Sequence, residues 1–418
     1  MYWNGAHALL TGGGITESGG LALRGIFSAV IYVPAAFVAL VAGEGSAGWA
    51  VLVQNAALIS VIGGIIVPRL AGRGVQPRSW QVWVSAIGTS LLLRGFAPFT
   101  LLDLWAVAFV LVAVLLLSTS TRALMFVLGG CALAVGVNLR PVYIVPVALL
   151  FVIWCVPRWK RAVFALVGIC AGFSVQAFYN GHAFLSWLPW PVDTFRIGQI
   201  QTQYASFIVR YDTLAYDGSG DPRQFSCSPS MADLVSGRPP GSVGELIQLF
   251  VAHPIQSTGF AVEKVASSLN WSAATPYSGV MPGRLTLFGV VVVFIAIAGL
   301  LVFLRQPRVP GGLAANLSTP LLLTLSAATA GTIVFSAPEA RFALPIVLVG
   351  MVGLVRGLGG VSQFMNATAR GWIWRAVGVL LIAGFIVLGQ MGLAHPAPRG
   401  DVTSSQCVEP PSASGAGH

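Results

Sequence analysis

The stretch AVLVQNAALISVIGGIIVPR (residues 50–69) is an apolar run about as long as a bilayer is thick, and it ends on a basic turn. Similar runs of roughly 15 to 20 residues follow one another along the chain, each long enough as a helix to cross a hydrocarbon core of about 30 Å. Charged residues make up only 9% of the 418 positions, hydrophobic ones 56%, and the mean hydropathy is +0.82. Soluble domains carry about a quarter charged residues. A single water-soluble core is therefore excluded, and the expected fold class is an all-α polytopic membrane protein. The apolar periodicity places its helices at 50–67, 81–95, 99–117, 123–138, 141–157, 162–180, 285–304, 317–336, 342–356 and 376–394.

The net charge of +10 would point to nucleic acid in a soluble protein. In a membrane protein, basic residues gather in cytoplasmic connections and set orientation, so no nucleic-acid partner is expected. Taking alternate connections as cytoplasmic collects Arg69, Arg73, Arg78, Arg122, Arg158, Lys160, Arg161, Arg305, Arg308, Arg356, Arg370 and Arg375 on one side. All 13 Asp and Glu residues then fall on the other. A register error of one helix would destroy that segregation. The expectation is a multi-pass protein of the cell membrane with four regions outside: residues 1–49, a cap over 181–284, the turn PEAR, and the tail 395–418. Membrane helices fill 50–180 and 285–394.

Each outer region has its own character. MYWNGAHALLTGGG reads as a short aromatic helix closed by glycines, of the kind that lies in an interface. The following IFSAVIYVPAAFVALVA is apolar enough to cross but carries Pro34 at its centre. It either crosses, as an eleventh helix, or lies along the outer surface. The cap begins with SWLPWPVDTF, whose Trp187 and Trp190 suit a membrane rim, and ends in a stretch that reads as helical with a break or kink at Pro254. The tail is rich in Pro, Ser and Gly and is expected to be disordered. Cys131, Cys155 and Cys170 fall within membrane helices as packing residues. Cys227 and Cys407 are the two outside, where disulfides persist, and are the candidates for a bond.

Neither an internal repeat nor a phosphate-binding glycine loop, HExxH or CxxC motif is present. The chemistry-bearing residues are instead Arg24, Arg94, Arg140 and Arg341, each at or beside an outer helix mouth, with Asp103 and Glu339 on the same side. Glu339 and Arg341 are two positions apart, so they do not share a helix face. Arginine binds phosphate bidentately at a partly dry surface, and a carboxylate can take the proton of a hydroxyl acceptor. Snorkelling to headgroups or structural pairing accounts for each residue singly.

Together these elements resemble the C-type (GT-C) polyprenyl-phosphate glycosyltransferases, near the family 39 mannosyltransferases and the bacterial aminoarabinose transferases. The resemblance runs through MYWNGAHALLTGGG, RGFAPFTLLDLWA with Asp103, GVNLRPVYIVPVALL with Arg140, and PEARFALPI with Arg341, and covers the order of elements over most of the chain. It favours laying residues 26–43 along the surface. The family's first transmembrane helix, and the Asp that follows it, would precede Tyr2. This sets the expectation of a start upstream of Met1, and of an inactive protein if that Asp is truly lacking.

What the resemblance implies is transfer of a sugar from a polyprenyl-phosphate donor to an extracytoplasmic glycan, lipid or protein of the cell envelope. Arg341, Arg24, Arg140 and Arg94 become candidates to hold the donor phosphate. Asp103 and Glu339 become the candidate catalytic carboxylates, orienting the acceptor or a divalent metal ion. Tyr2, Trp3 and His7 become acceptor or interface residues. Membrane lipids are the other expected partner. An oligosaccharide polymerase or ligase shares many helices and one large outer loop, and a lipid-linked-sugar flippase or transporter is the remaining alternative. Transporters usually carry charges at mid-membrane and repeated halves, which this chain does not display.

Overall fold

The computed structural model describes residues 2–12, 21–72, 76–214, 223–235, 238–277, 285–305, 317–358, 369–397 and 402–408. Every apolar run named above forms a helix. Among the described residues, six helical stretches are long and apolar enough to cross a membrane: Glu44–Ala71, Leu102–Thr119, Pro141–Phe184, Leu287–Arg305, Ala340–Leu358 and Arg375–Gly392. The protein is thus an α-helical membrane protein. The chain divides into two compact units, one of Met1–Phe195, Val302–Ala328 and Met351–Gly360, the other of Arg196–Leu301, Thr329–Gly350 and Val361–His418.

The first unit opens with short helices: α1 (Tyr2–Thr11), α2 (Leu21–Arg24), α3 (Phe27–Val30) and α4 (Val33–Ala42). Pro34 stands in the first turn of α4, where its missing N–H costs nothing. The ten residues of α4 rise about 15 Å, half of a hydrocarbon core. Helix α5 (Ala47–Val61) passes through a π turn at Ile62–Ile66 into α6 (Val67–Ala71), and α7 (Ser79–Leu93), α8 (Leu102–Thr119), α9 (Ala123–Leu139), α10 (Ile144–Arg158) and α11 (Ala162–Phe184) follow. Helices α9 and α11 pack closely because glycine faces backbone at the crossing. A Cβ on Gly130 would collide with the Ala165 carbonyl, and one on Gly168 with the Val127 carbonyl. Small residues are what lets membrane helices approach in this way.

Arginines of the basic turns also bind helix ends. Arg158 donates to the carbonyls of Ser118 (3.2 Å) and Ser120 (3.3 Å) at the end of α8. Arg356 donates to Ala71 O (3.1 Å) and Leu70 O (2.7 Å) at the end of α6, with its guanidinium over the Phe303 ring. The last carbonyls of a helix lack intrahelical donors and carry its negative dipole end. A cation placed there is stabilised, so these residues do structural work beyond any influence on orientation.

The second unit contains α12 (Thr194–Ala205), an antiparallel pair β1 (Ile208–Thr213) and β2 (Arg223–Cys227), α13 (Pro229–Leu234), α14 (Val243–Ala252), α15 (Pro254–Leu269), α16 (Leu287–Arg305), α17 (Ser318–Val334), α18 (Leu344–Leu358), α19 (Ala369–Gly392) and α20 (Ser404–Val408); α12, α16, α17 and α18 each also contribute residues to the first unit. The strands were not foreseen. Ile208, Val209 and Phe225 of the strands, with Phe207 just before β1, join Met231, Phe260 and Ala337 in one buried cluster.

Two buried cations hold the unit together by the same helix-end device. Lys264 donates to Ala205 O (2.9 Å) and Val334 O (3.0 Å), closing α12 and α17, while burial pushes its pKa well below the usual lysine range. Arg210 forks onto Asp212 (2.9 and 2.7 Å) and reaches the Asn270 carbonyl (2.8 Å) past the end of α15.

Where composition gave an expectation of disorder, the described part of the tail is ordered by backbone bonding. Cys227 N donates to His395 O and Ala397 N to Phe225 O, both at 2.9 Å, extending the strand pair, and α20 follows. Cys227 and Cys407 are disulfide-bonded across 180 residues, with Cα atoms 5.7 Å apart. Closing so long a loop restricts the unfolded chain, so Cys407→Ser is expected to cost about 2–4 kcal/mol. Thermal unfolding of the detergent-purified variant checks this; an unchanged midpoint would show that the bond contributes nothing.

Candidate functional site

Asp103 and Arg140, expected separately at helix mouths, meet. Asp103 stands in the first turn of α8, where the positive helix end favours a carboxylate. Arg140 precedes Pro141, and a residue before proline is disfavoured in helical conformation. It accordingly ends α9 in an extended conformation (φ −143°, ψ 95°). Its Nε donates to Asp103 Oδ1 at 2.8 Å and its Nη2 contacts the same oxygen. Only 4% of Asp103 and 8% of Arg140 is exposed. With water excluded, each charge depends on the other.

A polar shell surrounds this pair. The Tyr32 hydroxyl donates to Leu101 O (3.0 Å), next to the start of α8. Asn55 donates to Ala97 O (3.1 Å) and Phe99 O (2.9 Å), and its own oxygen accepts from Trp105 Nε1 (3.0 Å). Burial pushes the Tyr32 hydroxyl pKa above the usual tyrosine range, and the proximity of Tyr2 and Asp103 acts in the same direction. Helix α1 packs on α3 and α4, which brings Tyr2 to this cluster. Tyr143 is buried beside the pair as well. Sequence reasoning named Tyr2, Asp103 and Arg140 but missed Tyr32, Asn55, Trp105 and Tyr143. The available signal was an isolated polar side chain inside an apolar run, as at Asn55 in VLVQNAAL.

The other residues expected in this unit go elsewhere. Arg94 is exposed in the 3-10 turn Arg94–Phe96, and Arg24 is half-buried at the end of α2; neither forms an ion pair with a described residue. His7 lies 3.4 Å from Glu44, and with Trp3 and Thr11 the two line a cleft of about 340 Å³. Beside Arg24, Gly25 takes a positive φ of 74° that presents Ile26 N to Gln176 Oε1 (3.0 Å). Gln176 then donates to Asn180 (2.8 Å), whose amide reaches Leu188 O and Trp190 O. These buried amides fix the N-terminal helices to the end of α11.

In the second unit the turn PEAR answers how residues two apart can pair. Glu339 is extended (φ −93°, ψ 159°) and heads the 3-10 turn Ala340–Ala343, so the chain folds back and brings the Arg341 Nε onto Glu339 Oε2. Thr213 of β1 donates to Glu339 Oε1 at 2.9 Å. The backbone of the turn is held from three directions: Ala337 N donates to Gln201 Oε1 (3.0 Å), Tyr211 N to Pro338 O (3.0 Å), and Trp271 Nε1 to Ala340 O (2.9 Å). A buried carboxylate and a guanidinium are thus set on a fixed backbone.

The carboxylates do not form a metal-binding donor set. Among the described residues no three His, Cys, Asp or Glu side chains come together, and Asp103 and Glu339 each face an arginine. Comparison of the chain with protein-family models, with curated proteins and with solved structures gave no match.

Proposed function

We propose that this protein is an integral membrane glycosyltransferase that moves a sugar from a polyprenyl-phosphate donor to an extracytoplasmic acceptor. The observation that carries the reading is the desolvated Asp103–Arg140 pair at the mouth of α8 and α9, with Tyr32 and Tyr143 buried beside it and Tyr2 next to Tyr32. Ionisable residues are costly at such a depth unless they are used or paired. Tyrosine hydroxyls beside them are suited to hydrogen-bond a sugar or an acceptor hydroxyl. In the reaction the bond from the anomeric carbon to the lipid phosphate breaks as the acceptor oxygen bonds to that carbon. The acceptor proton passes to a carboxylate, for which Asp103 and Glu339 are the candidates. The phosphate leaves with its charge held by a guanidinium, for which Arg341 and Arg140 are the candidates.

The test is an assay of the protein in lipid nanodiscs with a panel of radiolabelled polyprenyl-phosphate sugars and cell-envelope acceptor extracts. Transfer of label from one of these donors is expected. Movement of a lipid-linked sugar across proteoliposomes with no product formed would replace this reading by the flippase; joining of oligosaccharides only would replace it by the polymerase.

The reading also requires sidedness. Gln203 is exposed in α12, and Lys160 is exposed in the 3-10 turn Trp159–Arg161 that follows α10. A cysteine at Gln203 is expected to react with an impermeant maleimide in intact cells, and one at Lys160 only after permeabilisation. The reverse pattern would place both candidate pairs on the cytoplasmic side and remove the donor class proposed.

A further inference from the structure

The bend between α14 and α15 leaves an apolar edge. His253 (φ −126°, ψ 62°) closes α14 and Pro254 begins α15. On the inner side of α14, Leu246 is buried and Leu249 and Phe250 pack on the core of the unit. On the outer side Val243, Ile247 and Val251 recur every four residues, one helix face, and Ile255 continues the spacing past the bend. Their exposures are 52%, 46%, 73% and 84%. Helix α14 is therefore apolar on two faces, although ten residues are too few to cross a bilayer.

The same edge borders a groove of about 650 Å³ whose lining includes Phe250, Val251, Pro254, Val262, Val334 and Phe385. Phe385 belongs to α19, whose Arg375–Gly392 segment is a candidate span with outward Val379, Leu380 and Val387 exposed. Phe385 lies about two helical turns, roughly 10 Å of rise, before the last residue of α19, Gly392. The groove thus opens at a level within the apolar stretch of a membrane helix, and Val251 stands at its rim.

From this we infer that the α14–α15 bend is a monotopic membrane anchor: Val243, Ile247, Val251 and Ile255 insert among the acyl chains of the bilayer, and those chains enter the groove against Phe385. An amphipathic segment lying at the acyl boundary binds in proportion to the apolar area it buries, and the continuity with α19 identifies lipid as the occupant. The anchor requires only that α19 lie in the bilayer, not that the protein transfer sugars.

The test places a nitroxide spin label at Val251→Cys and, separately, at Ile255→Cys, with Cys131, Cys155 and Cys170 replaced and the Cys227–Cys407 bond kept. The full protein is reconstituted in vesicles of phosphatidylcholine and phosphatidylglycerol with no donor lipid, so acyl chains are the one apolar source. A label at exposed Val379 serves as the lipid reference and one at exposed Ser405 as the water reference. Both bend labels are expected to be accessible to oxygen and shielded from a water-soluble nickel chelate, close to the Val379 reference. Nickel accessibility like that at Ser405 would overturn the anchor. Shielding from both reagents would also overturn it, because protein, as a second copy or another chain, would then cover the edge.

Discussion

Asp103→Ala is expected to destabilise the protein by about 3–5 kcal/mol and to abolish transfer, because it leaves the Arg140 guanidinium buried without its counter-charge. Loss of activity alone would not distinguish a reacting carboxylate from a structural one, so the informative protein is the double variant Asp103→Leu/Arg140→Leu. Removing both charges also removes their desolvation cost, and apolar replacements of a buried pair are often neutral or stabilising. The double variant is expected to regain most of the thermal midpoint lost by Asp103→Ala while remaining inactive. If it transferred sugar at the normal rate, the pair would be a strut between α8 and α9 and the proposed role would be lost. Asp103→Asn lies between these cases. It keeps an oxygen for Arg140 but gives up the charge, so stability should fall less than in Asp103→Ala while the ability to take a proton disappears.

The contrast between what was and was not legible follows from the range of each signal. The apolar helices could be read directly because burial in lipid imposes long uninterrupted runs, as in residues 50–69. The disulfide partners could be chosen because Cys227 and Cys407 were the two cysteines outside the apolar runs. Pairing across elements left no such trace. Asp103 and Arg140 are 37 residues apart, and nothing in LDLWA or NLRPVY shows that the end of α9 returns to the start of α8. Arg24, Arg94, Arg140 and Arg341 looked equivalent because each sits near a helix mouth; packing separates them by burying Arg140, leaving Arg24 and Arg341 part-buried, and leaving Arg94 exposed.

Lys264 illustrates the opposite failure. Inside VEKVASSL it has the look of an ordinary exposed helix residue, yet it is fully buried because two helices end at its ammonium group. The strands were missed for a related reason. RYDT and RQFSC carry charged and polar residues that read as loop, and only the Arg210–Asp212 fork and the tail beside β2 make burial of that segment possible.

The turn PEAR yields the second large effect. Arg341 is proposed to hold the leaving phosphate, and its value there lies in a planar, permanently charged fork that an ammonium cannot reproduce. Arg341→Lys should therefore keep the fold and the membrane insertion while losing transfer by roughly 100- to 1000-fold, since contacts to developing charge are stronger in the transition state than in the ground state. The Glu339 carboxylate is shared between Arg341 and Thr213, which allows its role to be separated. If Glu339 only aims Arg341, Glu339→Gln should reduce transfer modestly, because a side-chain oxygen remains for the guanidinium and for the threonine hydroxyl, and Thr213→Val should have a similarly modest effect. If Glu339 takes the acceptor proton, Glu339→Gln should fall as far as Arg341→Lys while Thr213→Val stays mild. Full transfer by an Arg341→Ala variant in the nanodisc assay would exclude both schemes. The pair would then serve to bend the chain at Ala340–Ala343, and phosphate recognition would have to be sought at Arg140.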